Sequence, residues 1–135
     1  MPNNKKIGSD FEQEACSILA NRGYWVKFLD PDRTGAQPFD IIAVKNGVAY
    51  CFDCKTCVSD TFNINRLEDN QIMAFEKWVK CGNTHPMVLI KHKNEVKICF
   101  YGDLKARKSV KIDQLISLDI FLKSVDKYRN ICYNI

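Results

Sequence analysis

The chain has 135 residues, 46% of them hydrophobic, and a formal net charge of +4. That length suits one domain with one core, residues 1–135, and the apolar content excludes a disordered chain. No apolar run approaches the ~20 residues of a membrane helix, and the polar opening Met1-Pro2-Asn3-Asn4-Lys5-Lys6 lacks the apolar stretch of a secretory signal, so no membrane and a cytoplasmic location are expected.

Taken in chain order, residues 1–7 read as a polar, frayed start. Ser9-Asp10-Phe11-Glu12 fits a capping box opening a helix over 9–21, with Phe11, Ala15, Ile18 and Leu19 at helical spacing and Arg22-Gly23 as the stop. Residues 24–29 form a strand, 30–38 a loop with two prolines and a glycine, and 39–44 a second strand. Lys45-Asn46-Gly47 is a tight hairpin signal leading into a third strand over 48–57. A polar connection over 58–66 precedes a helix over 69–80 with the stripe Ile72, Phe75 and Val79, ended by Gly82. Strands over 87–91 and 96–101 follow, then a short strand over 109–112. Ser117 caps a last helix carrying Leu118, Phe121, Leu122 and Val125, which with the tail fills 116–135 around a core of 8–115. The order predicts an α/β fold, a mixed β-sheet flanked by helices.

Seven cysteines, an odd number without an export signal, point to free thiols in a reducing compartment. Cys51-x-x-Cys54-x-x-Cys57 has a zinc-like spacing. On a strand, however, Cys54 faces away from Cys51 and Cys57, so three thiolates do not converge on one ion.

The chemistry concentrates at Asp53-Cys54-Lys55. Residues i and i+2 of a strand share a face, so a carboxylate and an ammonium project together from a segment whose other residues are apolar. Asp40 heads the neighbouring strand, at the same end of the hairpin as Asp53. Two such carboxylates repel unless a cation lies between them. Magnesium takes one or two carboxylates, keeps several waters and binds substrate phosphate; the Cys54 backbone carbonyl is a further candidate ligand. Lys55 is placed to orient an attacking water and balance charge on phosphorus. Glu12, on the flank of the first helix, and Gln71, beside Phe75 and Trp78 in the first turn of the middle helix, are candidate supporting members.

These residues resemble the PD-(D/E)XK nuclease superfamily: an initial helical Glu, an acid, then about a dozen residues later acid-x-Lys on a hairpin. Phe11-Glu12-Gln13-Glu14, Gly23-Tyr24, Phe39-Asp40-Ile41, Phe52-Asp53-Cys54-Lys55-Thr56 and Asn70-Gln71-Ile72 fall in the order of archaeal-type Holliday-junction resolvases. The stretch from Thr61-Phe62-Asn63-Ile64 to Asn70-Gln71-Ile72 is similar to RecU-type resolvases of Gram-positive bacteria and their phages. The resemblance implies a restriction-endonuclease-like αβββαβ core and a Mg²⁺-dependent (or Mn²⁺-dependent) homodimeric endonuclease acting on four-way or other branched DNA; the chain's compactness suggests a phage source. It also implies Glu12, Asp40 and Asp53 as metal ligands, Lys55 as the catalytic lysine and Gln71 as the supporting polar group. Phe-Asp stands where Pro-Asp is usual, Asp where Glu is commoner, and no stalk-like insertion is present.

Plainer readings stand beside these. Asp53 and Lys55 can be a strand-face ion pair, Glu12 can complete the capping box with Ser9, Gln71 can be an exposed first-turn residue, and His85 and His92 read as turn residues. Arg33, Thr34 and Gln37, in the loop before Asp40, are candidates to meet DNA phosphate, as are Lys91, Lys93 and Lys97 and then Lys105, Arg107, Lys108 and Lys111; any of these can equally be a solvated surface. The alternative functions are a flap, nick or single-strand nuclease of the same fold, a non-catalytic DNA-binding module, and an interaction protein without a nucleic-acid role.

Overall fold

The protein, as a computed structural model, is described over residues 4–30 and 37–133. Helix α1 (Asn4–Asn21) leads into an antiparallel meander of β1 (Trp25–Phe28), β2 (Ile41–Lys45) and β3 (Val48–Thr56). Strand β4 (Thr61–Asn63) and a 3-10 turn (Ile64–Arg66) precede helix α2 (Asp69–Lys80). Strands β5 (Met87–His92) and β6 (Glu95–Phe100), helix α3 (Tyr101–Arg107), strands β7 (Ser109–Lys111) and β8 (Ile116–Ser117), and helix α4 (Leu118–Tyr133) follow. One sheet runs β1-β2-β3-β5-β6-β8, and β4 pairs with β7 in a separate ribbon. Strands β3 and β5 are parallel while the other pairs are antiparallel, so the sheet is mixed and flanked by helices, as the element order predicts.

The connections follow backbone chemistry. The β2–β3 turn places Asn46 at φ 53° and Gly47 at φ 76°, and the β5–β6 turn places Lys93 at φ 48° and Asn94 at φ 63°. Left-handed values at both central residues match the twist of two-residue hairpins. Parallel β3 and β5 need a longer crossover, and α2 lies within it.

Each face of the sheet is covered. Phe11, Ala15 and Leu19 of α1, with Leu118 and Leu122 of α4, pack on Ile41, Phe52 and Leu89. On the other face Phe75 of α2, Leu104 of α3, Phe62 of β4 and Val110 of β7 pack on Cys51, Val88 and Ile90. Phe75 is fully buried, its ring centroid 6.0 Å from Phe39 and 5.2 Å from Tyr101. It pins α2 so that the helix's first turn overlies the end of β3. Truncation to alanine would cost about 3–5 kcal/mol.

Several sequence expectations change. Helix α1 begins at Asn4, so Ser9 is interior and no capping box forms with Glu12. A helix nucleated by the Phe11–Ala15–Leu19 stripe gains a hydrogen bond for each residue added, and Gly8 costs only about 1 kcal/mol against this. The connection over 58–66 contains β4, whose partner lies far along the chain in β7. Tyr101 opens α3 rather than ending a strand; with only Tyr101 and Leu104 buried, that helix is too short to show periodicity. Val79 is exposed, and the buried face of α2 runs through Gln71 and Phe75. His92 is a buried strand residue whose Nδ1 lies 2.8 Å from the Cys57 carbonyl. Ser117 does cap α4, its Oγ accepting from the Ile120 N–H at 3.1 Å. Among the described residues Cys16, Cys51, Cys54, Cys57, Cys81 and Cys99 are free thiols, and Cys54 packs on the opposite face from Cys51 and Cys57. No helix among the described residues is long and apolar enough to cross a membrane.

Candidate active site

The site lies where the β2–β3 ladder ends. The register pairs Ile41 with Phe52, and one further step sets Asp40 opposite Asp53. Asp40 is 4% exposed and Asp53 0%. A residue in a ladder sends its N–H and C=O to the same side. The Cys54 N–H donates to Asp40 Oδ2 at 2.8 Å, so the Cys54 carbonyl opens toward the same edge.

Helix α2 covers Asp53. Gln71 Nε2 donates to Asp53 Oδ1 at 3.0 Å. The Gln71 Oε1 accepts from Lys55 Nζ at 3.2 Å and from the Glu68 N–H at 3.0 Å. The last bond ties the side chain to the helix start, in the manner of a capping-box glutamine. Gln71 is therefore buried and bonded to both chemical residues of β3, not an exposed first-turn residue. Lys55 Nζ lies 3.0 Å from Asp53 Oδ2, an ion pair under α2 and not on a solvated strand face. That oxygen is fully buried, and the ammonium is near it without hydrogen-bond alignment: among the described residues no donor is aimed at Asp53 Oδ2.

Electrostatics follow from this packing. Burial first, then the Asp40 carboxylate, push Asp53 well above the ordinary carboxylate range, with Lys55 opposing. Half-buried Glu12 is pushed up to about 7, chiefly by burial and then by the charge of Asp40. Glu12 lines a cleft of about 590 Å³ with Ser9, Gln13, Cys16, Ser17, Phe28 and Asp30. It feels the site's charge from there, but among the described residues no three His, Cys, Asp or Glu side chains converge closely enough to hold an ion as they stand. The structure thus gathers Asp40, Asp53, Lys55 and Gln71, with Glu12 in electrostatic reach of Asp40 and Lys55.

A divalent cation fits this donor set. Asp53 Oδ2 has no aligned donor, an adjacent carboxylate raises the cost of ionising it, and the Cys54 carbonyl opens beside both. Hard oxygen donors of this kind suit Mg²⁺ or Mn²⁺, and the thiols nearby are protonated by burial: that of Cys54 is held well above its usual range.

The comparisons agree with this chemistry. The family model "Archaeal holliday junction resolvase (hjc)" matches residues 3–129. The chain belongs to that family. Hjc resolvases are divalent-metal-dependent nucleases acting on branched DNA, and of the two resolvase types that the sequence resembles, the match is to the archaeal one. The 1.6 Å structure of Hjc from Archaeoglobus fulgidus, a Holliday junction resolvase from an archaeal hyperthermophile, shares the fold. Its TM-score is 0.61 at 13% identity, covering 81% of this chain and 93% of that one. No curated protein matches the sequence.

The expected basic contacts of this Hjc-family protein separate. Arg33 and Thr34 lie outside the described residues. Lys91, partly exposed, faces α1 and pairs with Glu14. Lys93 is exposed, 3.5 Å from Asp60, and Arg107 and Lys108 are exposed at the end of α3. Gln37 turns inward instead of toward solvent, donating from Nε2 to Asp40 Oδ1 at 2.6 Å. Sequence reasoning gave no role to Arg66, whose Nη2 donates to the Thr56 carbonyl at 2.9 Å while its guanidinium lies 5.5 Å from the Phe62 ring centroid. An arginine that meets Thr56, the last residue of β3, across ten residues of chain has no signal in local spacing.

Proposed function

We propose that this Hjc-family chain is a Mg²⁺-dependent endonuclease that makes paired nicks in four-way DNA junctions. The observation that carries the reading is Asp53 Oδ2, buried without an aligned donor between Lys55 and the Asp40 side of the ladder. In this reading Asp40, Asp53 and the Cys54 carbonyl would hold the ion, with Glu12 as a supporting carboxylate. When bound, Mg²⁺ supplies charge neutralisation at the phosphate and a more acidic water.

The chain's own groups do the rest. Lys55 Nζ orients the attacking water and offsets charge developing on the phosphoryl oxygens. Gln71 holds both that ammonium and the Asp53 carboxylate through its one amide group, so neither must reorganise as the phosphorus is attacked. The hydroxylic leaving group departs opposite the water, in line, a geometry that demands positioning more than covalent chemistry. Lys91, Lys93, Arg107 and Lys108 are proposed phosphate contacts, and Arg66 joins them because Thr56 holds it one residue from Lys55. Arg33 and Thr34 retain that proposed role from the sequence.

Each protomer carries one such site, and opposed nicks need two, which supports a homodimer as the working unit. The proposed setting is the cytoplasm, where reduced thiols persist. Labelled four-way junction, flap, duplex and single-stranded DNA are incubated with Mg²⁺ or EDTA, using wild type and Asp53→Asn. Symmetric nicks on the junction alone, lost with EDTA or Asp53→Asn, are expected. Equal cleavage of all four substrates would make it a general nuclease, and DNA binding without any cleavage would reduce it to a binding module.

A further inference from the structure

We propose that Gln37 and Asn70 are positioning residues that set the Asp40 carboxylate for metal, so that the first turn of α2 grips both acids of the site. This deepens the metal-dependent reading above and rests on it. Gln37 Nε2 donates to Asp40 Oδ1 at 2.6 Å, and Asn70 Nδ2 donates to the Gln37 backbone carbonyl at 2.6 Å. The next helical residue, Gln71, donates to Asp53 Oδ1 at 3.0 Å. Successive helical side chains point about 100° apart. Asn70 therefore reaches the 37–40 segment while Gln71 reaches the sheet.

The chemistry of these donors matters. A lysine or arginine on Asp40 would neutralise the charge that a cation needs. A neutral amide orients the carboxylate and leaves its charge in place. Each acid of the pair is held through one oxygen by a neutral side-chain amide: Asp40 by Gln37, Asp53 by Gln71. Without Gln37, Asp40 keeps, among the described residues, the Cys54 N–H on Oδ2 and turns away from its like-charged neighbour. Without Asn70, the Gln37 backbone loses its anchor on α2. Partners that orient a ligand in this way are worth about 10–100-fold in metal affinity.

Mn²⁺ affinity, read from the electron paramagnetic resonance of the free ion, is measured for wild type, Gln37→Met, Asn70→Ala, the double variant and Asp40→Asn. Thermal unfolding is recorded in parallel. Methionine keeps the length of glutamine and removes the donor; Asn70→Ala, at a half-buried helical position, carries the test if Gln37→Met does not fold. The expected result is about a tenfold or larger loss in each single variant, with no further loss in the double. KM for junction DNA would stay at the wild-type value and kcat would recover at high metal. Wild-type Mn²⁺ affinity in Gln37→Met and Asn70→Ala, alongside lost binding in Asp40→Asn, would overturn the positioning role alone. Multiplying losses in the double variant would break the relay from Asn70 through Gln37. Wild-type binding in Asp40→Asn would remove the metal reading itself.

Discussion

Replacing Asp53 by asparagine should make the metal-free protein more stable while it destroys cleavage. Asp53 is 0% exposed and faces Asp40, and its native pKa of about 8 lies far above the roughly 3.9 of an unfolded aspartate. At 1.36 kcal/mol per unit, ionising it in the native state costs about 6 kcal/mol. Asparagine removes that cost and still accepts from Gln71. The attraction of Lys55 is already contained in that value, where it opposes the rise. The gain above pH 8 is therefore on the order of 6 kcal/mol, and for a chain of this length that raises Tm by roughly 20 °C.

The sign of the pH dependence follows from the direction of the shift. A carboxyl whose native pKa is raised destabilises the fold progressively as pH climbs from the unfolded value toward the native one. The advantage of Asp53→Asn should therefore be absent near pH 4 and complete above pH 8. Saturating Mg²⁺ should stabilise wild type alone and shrink the gap. Differential scanning calorimetry at several pH values, with and without metal, checks this. A variant less stable than wild type at pH 8 without metal, or an advantage that does not change with pH, would refute the account of the buried acids.

Three further outcomes are expected. Lys55→Ala should lower kcat on a junction by about 10²–10³-fold with DNA affinity nearly unchanged, since the ammonium acts on developing charge; filter binding beside single-turnover cleavage separates the two. Gln71→Ala should cost about 10–100-fold in metal affinity, because Asp53 and Lys55 lose their shared partner, and should lower unfolding stability by about 1 kcal/mol through the lost cap. Metal binding should release protons, and apparent affinity should fall as pH drops through the Glu12 value of about 7. Calorimetric titration of Mn²⁺ in buffers of different ionisation enthalpy measures the protons released; none released would contradict the raised carboxyls.

Helix 69–80, both hairpins and the alternation of β3 were legible in the sequence because each depends on neighbours a few residues away. The same local logic placed Asp53 and Lys55 on one face and marked Cys54 as turned from Cys51. The family could be read from the order of its motifs. What local spacing could not supply were contacts closed across long separations. Strand β4 exists because Phe62 meets Val110, α3 is too short to carry a period, and Ser9 lost its capping role to a helix that kept propagating. The grip of α2 on both acids is of the same kind: Asn70 and Gln71 are two polar residues in a row until folding sets one against Gln37 and the other against Asp53. Side-chain type and period determine which groups a strand or helix offers; only packing decides which of them meet, since a hydrogen bond a few ångströms long has no record in the chain between its ends.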